Sequence, residues 1–461
     1  MNSPSVSFNQ LGLRAELEEN LASLGYTSMT EIQAMCLPDI LEGRDVVAQA
    51  QTGSGKTAAF GLGILSQIIV ADYYIQSLVL CPTRELADQV SIELRKLGRR
   101  MENLKVLTLC GGTPVAPQVA SLEHGAHIIV GTPGRILDLL GRRILDLNNI
   151  HTMILDEADR MLDMGFAEDI EDIIRRTPKN KQTLLFSATY PDNIKKMSGN
   201  IQKNPLFIKT KVANTNKNIE QFFFETKKDN WYEGLHGLLS KYQPQSSIIF
   251  CTTKVQCDEV AEYLNDHSVS ALAIHSDLDQ YQRNEVLVQF ANGSVCALVA
   301  TDVAARGLDI KNLHAVINFE ISKDPEIHIH RIGRTGRAGE TGLALTLYNR
   351  SEVFRVKAIE ALTGDTYQRD LQPPPSKSKK IGIMPTMTTV KINGGKKNKL
   401  RPGDILGALT NEANLSKEQI GKIDIFEFHA YVAIDSSVAA KTMAVMENAK
   451  IKNRNFRMRT I

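Results

Sequence analysis

No stretch of about eighteen consecutive apolar residues occurs in the 461-residue chain, so a membrane-spanning helix is not expected. Residues 1–10 carry neither the basic patch nor the apolar core of a secretory leader. Cysteine is scarce. Cys36, Cys81, Cys110, Cys251, Cys257 and Cys296 are scattered, no two stand in Cys-x-x-Cys spacing, and most fall in apolar, strand-like surroundings. This pattern argues against a disulfide framework or a thiolate zinc site and for reduced core thiols in a cytoplasmic protein. Net charge is small as well, +2 at pH 7, but it is unevenly spread. Residues 371–461 hold 16 Lys/Arg against 7 Asp/Glu, a surplus of nine positive charges, and the first 370 residues carry a net −7. A basic tail on a mildly acidic body points to a separate nucleic-acid-binding module.

What is present is the composition of a globular protein, 43% hydrophobic and 23% charged. The length allows two to four domains. Short apolar runs at 44–48, 77–81, 105–109, 127–130, 151–155 and 183–186 alternate with helical patterns such as 57–69, 85–99 and 165–177. This is the rhythm of a parallel sheet covered on both faces. It repeats with strands at 247–251, 271–275, 297–301, 315–319 and 342–347. Polar residues 209–218 read as a linker, and Pro- and Lys-rich residues 373–380 as a second one, extended and solvated. Beyond it the order changes to strand 388–393, helix 404–411, strands 421–428 and 431–434, helix 437–449 and strand 456–461. That β-α-β-β-α-β order predicts a small ferredoxin-like α+β domain of the RNA-recognition type. The expected domains are 1–210, 218–370 and 385–461.

Two motifs carry phosphate chemistry. Residues 50–57 read Ala50-Gln51-Thr52-Gly53-Ser54-Gly55-Lys56-Thr57. Gly53 and Gly55 let backbone N–H groups curl around a triphosphate, Lys56 reaches its β/γ end, and the Thr57 hydroxyl suits Mg²⁺. The following helix turns its N-terminus to the anion. About a hundred residues later, Asp156-Glu157-Ala158-Asp159 ends an apolar run. Asp156 suits the metal and Glu157 a general base for water. In the second region, Arg334 and Arg337 stand three apart, so one helical face can offer both to a γ-phosphate, while Arg331 is a candidate for RNA phosphates.

Phosphate loops usually open on Gly, and here Ala50 stands there. The variant loop followed by Asp-Glu-Ala-Asp resembles the DEAD-box family of ATP-dependent RNA helicases. The resemblance implies two tandem RecA-like domains, ATP and Mg²⁺ as cofactors, and RNA as partner, with no membrane and no obligate protein partner. Gly25 to Gln33, with Phe8 upstream, looks like that family's Q motif: Gln33 would meet the adenine edge, Tyr26 would stack on the base, and Thr30 would support the site. Asp159 belongs with the nucleotide site. Ser187-Ala188-Thr189 and His330 would couple ATP use to strand separation. Gly307 and Asp309 would lie near the ribose. RNA contacts are expected at Pro82, Thr83, Arg84, Gly111, Gly112, Thr132, Gly134, Arg135, Arg283 and Thr301, all positioning a strand without reading its sequence. Two rival functions share these motifs, an ATP-gated RNA clamp that unwinds nothing and a DNA helicase.

Residues 393–410 are similar to the C-terminal domain of the bacterial DEAD-box protein A subfamily. That implies binding of a 23S ribosomal RNA hairpin and a role in large-subunit assembly. RNA-recognition domains carry a stacking aromatic on the first strand. Here Lys391 stands there, and the segment Phe428-His429-Ala430-Tyr431 keeps few of the usual aromatics of the third strand. The basic loop Lys396, Lys397, Lys399 and Arg401 is therefore the expected RNA contact, its shape set by Gly394-Gly395 at entry and Pro402-Gly403 at exit.

Overall fold

The computed structural model describes the chain apart from residues 1–5, 51–52, 211–217, 306–312, 337–340, 376–377 and 448, and apart from the side chains at 228 and 370. Two compact units divide it, Met1–Ala213 and Asn214–Ile461.

The first unit is built on β1 (Val46–Gln49), β2 (Ser77–Leu80), β3 (Val106–Leu109), β4 (Ile128–Gly131), β5 (Thr152–Asp156), β6 (Gln182–Ser187) and β7 (Leu206–Lys209). All pair in parallel, in the order β3-β4-β2-β5-β6-β1-β7. The central strands are apolar along their length because helices cover both faces, and their alternate residues enter two separate cores. The helix Arg84–Leu97 shows why such segments are helical. Thr83 caps it by accepting from the Leu86 amide at 3.3 Å, and Leu86, Val90, Leu94 and Leu97 form its buried stripe.

The second unit repeats the topology. Its strands β8 (Ile219–Glu225), β9 (Ser247–Cys251), β10 (Ala271–Ile274), β11 (Ala297–Thr301), β12 (Ala315–Asn318), β13 (Gly342–Tyr348) and β14 (Gln368–Leu371) run in the order β10-β11-β9-β12-β13-β8-β14. Strands β9 and β11 match the sequence expectation residue for residue. The flanking strands β7, β8 and β14 have no counterpart in that expectation. Of the linker 209–218, Lys209 closes β7 and residues 211–217 lie outside the described residues.

The same unit carries the tail domain: β15 (Met387–Ile392), β16 (Ile420–Ile425), β17 (Ala430–Asp435) and β18 (Met458–Thr460) form an antiparallel sheet in the order β16-β17-β15-β18. The helices Pro402–Asn411 and Ser436–Met446 pack on one face, with Val390, Ile392, Val432 and Ile434 between. This is the expected ferredoxin-like order. β16 stops at Ile425, three residues short of the expected strand, because Phe426 turns back and its amide donates to His429 O at 2.8 Å.

The described residues of 373–380 do not form the free linker that composition predicts, although Pro375 and Ser378 to Lys380 are exposed as expected. Ser378 O lies 2.9 Å from His236 Nε2, the Ile381 amide donates to His267 O at 2.9 Å, and Ile381 and Ile383 are buried in the second unit's core. A Cβ on Gly237 would fall on the Pro374 carbonyl. Proline costs little entropy when ordered, so its run serves as a strap here.

In the first unit, Asp45 ties the sheet together just before β1. Its Oδ1 accepts from the Thr183 amide and its Oδ2 from the Lys203 amide, each at 2.7 Å. Asp45→Ala should therefore destabilise the unit by about 2–3 kcal/mol, since buried amides lose a charged acceptor. Faster hydrogen exchange at Thr183 and Lys203 would locate the loss, and unchanged exchange there would contradict it.

Candidate active site

Strands β1, β6 and β5 are neighbours, and their C-terminal ends bring the phosphate loop, the Ser-Ala-Thr triplet and the acidic motif together. Gly53 and Gly55 sit at φ 84° and 99°, a region only glycine adopts freely. A Cβ at Gly55 would also lie 2.6 Å from Gln33 Nε2 and 2.9 Å from Thr30 Oγ1. Lys56 opens the helix Lys56–Gln67 and is buried, its ammonium donating to Ala50 O at 2.8 Å. Ala50 keeps a negative φ and donates its amide to Ser187 O at 3.0 Å, so the backbone at this position does not require glycine. Gln51 and Thr52 lie outside the described residues.

The Q-motif residues join this loop. Gln33 Oε1 accepts from the Thr30 amide at 2.9 Å and Nε2 donates to Gly55 O at 3.1 Å, which leaves one N–H and one lone pair for a ligand. Phe8 is buried, edge-on to Tyr26 with centroids 6.2 Å apart. The Tyr26 hydroxyl donates to Glu93 at 2.9 Å. Burial and that carboxylate both raise its pKa.

The acidic motif is tightly held. Asp156 is 3% exposed, and burial pushes its carboxyl up to about 7 against the pull of Lys56. Glu157 stands at φ 53°, a strained backbone for a non-glycine residue, with its Oε2 2.7 Å from Arg160 Nη1. Asp159 Oδ2 accepts from the Thr189 amide and from Thr189 Oγ1, each at 3.0 Å, and the Asp159 amide donates to Ser187 Oγ at 3.3 Å. The triplet and the acidic motif thus form one network. Sequence reasoning missed Arg160 and Glu93. For Arg160 a signal existed, its i, i+3 spacing from Glu157 on a helix.

The other half of the same sheet rim, the ends of β2, β3 and β4, carries Pro82-Thr83-Arg84, Gly111-Gly112 and Thr132-Pro133-Gly134-Arg135. Thr132 Oγ1 accepts from the Gly111 amide at 3.3 Å, and Arg135 Nη2 donates to Thr113 O at 3.0 Å. Arg135 Nη1 is buried with no protein partner. Arg84 lies 3.6 Å from Asp88.

In the second unit, Thr301 ends β11, its Oγ1 accepting from the Ala304 amide at 3.3 Å, and Arg283 Nη2 donates to Ala304 O at 3.2 Å. Arg331 is not an RNA-facing cation. It is buried in a two-point pair with Asp302 at 2.6 and 2.8 Å, and Nη1 donates to Asn318 and to Glu320 O. Its partner lies 29 residues away in sequence, beyond the reach of any local pattern. The expected helical face for Arg334 is also corrected. The helix Pro325–Ile332 ends at Gly333, and buried Arg334 follows in a turn, its amide donating to Arg331 O at 3.1 Å. His330 is in the last helical turn. Gly307, Asp309 and Arg337 lie outside the described residues.

In the tail, Lys396, Lys397, Lys399 and Arg401 are exposed on a loop of fixed shape. The Lys396 amide donates to Phe426 O at 2.9 Å and the Lys397 amide to Glu427 O at 3.0 Å, while a Cβ on Gly395 would meet Phe426 O at 2.3 Å. Lys391, on the outer sheet face, is buried and pairs with Glu285 at 3.0 Å.

Residues 30–197 match the DEAD/DEAH box helicase family, 226–339 the helicase conserved C-terminal domain and 389–460 the DbpA RNA binding domain. The chain is 50% identical over 442 residues to the ATP-dependent RNA helicase DbpA of Escherichia coli (strain K12), covering 96% of each. It is 45% identical over 370 residues to the DEAD-box ATP-dependent RNA helicase CshA of Geobacillus kaustophilus (strain HTA426), covering 80% of this chain and 79% of that one. Among solved structures it resembles S. cerevisiae Dbp5 bound to RNA and ADP BeF3, with TM-score 0.69 and 31% identity over 80% of this chain and 95% of that one.

The state of Asp156 gives a pH prediction. Its carboxyl ordinarily titrates at 3.8, so between there and about 7 the folded chain holds a proton that the unfolded chain lacks, and the burial penalty builds over that range and is complete once pH has risen through about 7. A dication opposite Asp156 needs the anion. Nucleotide with divalent cation should then release a proton on binding at pH 6.5 and bind more weakly as pH falls. Calorimetry in buffers of different ionisation enthalpy reads the release, and Asp156→Asn should abolish it.

Proposed function

Since the chain belongs to the DEAD-box family of ATP-dependent RNA helicases, in its DbpA branch, we propose that it acts in the cytoplasm on a 23S ribosomal RNA hairpin and remodels precursors of the large ribosomal subunit. The fixed, exposed cationic loop 396–401, inside the segment that matches the DbpA RNA binding domain, is the observation that carries this reading. In this assignment 1–210 and 218–370 are the two helicase domains and 385–461 is the RNA anchor.

The donor set fits a nucleotide–Mg²⁺ pair. Mg²⁺ takes few protein ligands beside phosphate oxygens, and a buried carboxyl poised near neutrality beside Lys56 accepts a dication readily. Thr57 and Asp156 would hold the ion, which when bound neutralises charge on the phosphates. Gly53, Gly55 and the helix N-terminus bind the phosphates, and Lys56 leaves Ala50 O to meet them. Gln33 has one donor and one acceptor left for adenine, and since it also holds Gly55 O, base recognition would be felt directly by the phosphate loop. Arg160 holds one oxygen of Glu157 and leaves the other to take a proton from water. Arg334 and Arg337 are assigned to the charge that develops on the γ-phosphate. Asp159, bonded to Ser187 and Thr189, links the acidic motif to the triplet and makes that triplet the coupling element, with His330 in the same role on the second unit.

Glu157→Gln should still bind ATP and RNA and hydrolyse ATP about a hundredfold more slowly or worse, because an amide cannot take the proton. Single-turnover hydrolysis measures this, and near-normal turnover would sink the assignment.

ATPase stimulation by a 23S fragment relative to poly(A), in the full-length protein, tests the target. A strong preference is expected. Changing Lys396, Lys397, Lys399 and Arg401 together to Ala should erase it and lower the salt slope of hairpin binding by about one unit for every phosphate no longer neutralised. If the unmodified chain shows no preference, the ribosomal reading is wrong.

A further inference from the structure

RNA-recognition domains ordinarily stack bases on the open face of their sheet. In this tail that face is covered. Its outward residues Thr389, Lys391, Tyr431 and Ala433 are all buried. Thr389 Oγ1 bonds Asn292 Nδ2 at 3.2 Å and Ser294 Oγ at 2.6 Å, and Glu285 Oε1 takes both the Lys391 ammonium at 3.0 Å and the Tyr431 hydroxyl at 3.3 Å. Lys391 Nζ stands 4.4 Å from the ring centroid of Tyr281. The covering residues, 281–294, belong to the second helicase domain of the same unit. A base cannot stack where these groups already pack.

An aromatic stands free elsewhere. Phe428, at the turn between β16 and β17, is 63% exposed. Single exposed aromatics are ordinary. The turn that carries this one is hydrogen-bonded to the cationic loop: the Lys396 and Lys397 amides donate to the carbonyls of Phe426 and Glu427, and Lys397 Nζ lies 4.5 Å from the Phe428 ring centroid. Gly395 packs against the same turn, where a side chain would collide with the Phe426 and Glu427 carbonyls. The turn that bears this flat apolar ring is thus bonded through its backbone to the loop that bears Lys396, Lys397, Lys399 and Arg401, with Lys397 beside the ring.

We propose that Phe428 is the base-stacking residue of the tail. An unpaired RNA base lies on its ring while Lys396, Lys397, Lys399 and Arg401 take the flanking phosphates, and the sheet face serves instead to seat the tail on the second helicase domain. The assignment rests on the tail being an RNA anchor, but not on which RNA it prefers. Stacking of this kind tolerates any base, and register comes from the loop.

The test uses the full-length protein without nucleotide and a pool of RNA hairpins with randomised loops carrying 4-thiouridine. Phe428→Ala should weaken pool binding about tenfold, within the range for removing a base–aromatic stack, and leave the salt slope unchanged. Phe428→Trp should bind as the parent does. Crosslinks should map to the 426–429 turn and the 396–401 loop. Parent-like binding by Phe428→Ala, or crosslinks on Tyr281 or Tyr431, would overturn the proposal. The randomised pool separates it from the ribosomal assignment. A parent that binds the pool but shows no 23S preference removes that assignment alone, whereas a 23S preference that survives Phe428→Ala with unchanged affinity removes this one alone.

Discussion

The Asp159 carboxylate takes two hydrogen bonds from Thr189, and the Asp159 amide gives one to Ser187, so the end of β5 is knotted to the end of β6. Much of the first unit's chemistry hangs on that knot. Ser187 O in turn receives the Ala50 amide, which starts the phosphate loop, and Gly55 at the loop's far end carries the bond from Gln33. Gln33, the phosphate loop, the acidic motif and the Ser-Ala-Thr triplet are therefore joined by hydrogen bonds across three adjacent strands. The strained backbone of Glu157 is tolerated because its neighbours on both sides are pinned. Parallel pairing makes this possible, since all three strands deliver their C-terminal ends to the same rim.

The two helicase sheets show what topology does and does not determine. Their strand orders correspond one for one. In the first, the loop after β1 carries the glycine-rich motif of residues 50–57. In the second, β8 occupies the same place and is followed by the helix Trp231–Tyr242, with no glycine-rich turn between them. The fold supplies a rim, and the loops decide whether that rim holds nucleotide.

Much of this was visible in the residues alone. Strand β9 is bounded by polar residues on each side of an apolar run, so its ends are legible from the pattern. The acidic motif and the phosphate loop announce themselves because their chemistry demands particular side chains at particular spacings. What escaped was pairing at a distance. Arg331 looked like a ligand because Asp302 and Asn318 are invisible to local pattern, and Lys391 looked like a defect in an RNA surface because Glu285 lies 106 residues away. β7 was missed because edge placement leaves three of its four residues exposed. The proline run looked free for a related reason: Gly237, which packs on Pro374, and the His236 and His267 that hold Ser378 and Ile381 are far back in the chain.

The helix Gln280–Ala291 carries Arg283 near its start and presents Tyr281 and Glu285 to the tail sheet. One rod of backbone thus bears both Arg283, proposed to position an RNA strand, and the seat of the tail domain. With the preceding segment strapped down from Ser378 to Ile383, little slack remains between them. A flexible tether would let the anchored RNA roam over a sphere and offer the helicase domain any duplex within reach. On the proposed function, a seated one would work as a ruler: it would fix the distance and direction from a hairpin held by the tail to a strand placed at Arg283. Choice of duplex would then become a matter of measured spacing along the folded RNA, with no base in that duplex needing to be recognised at all.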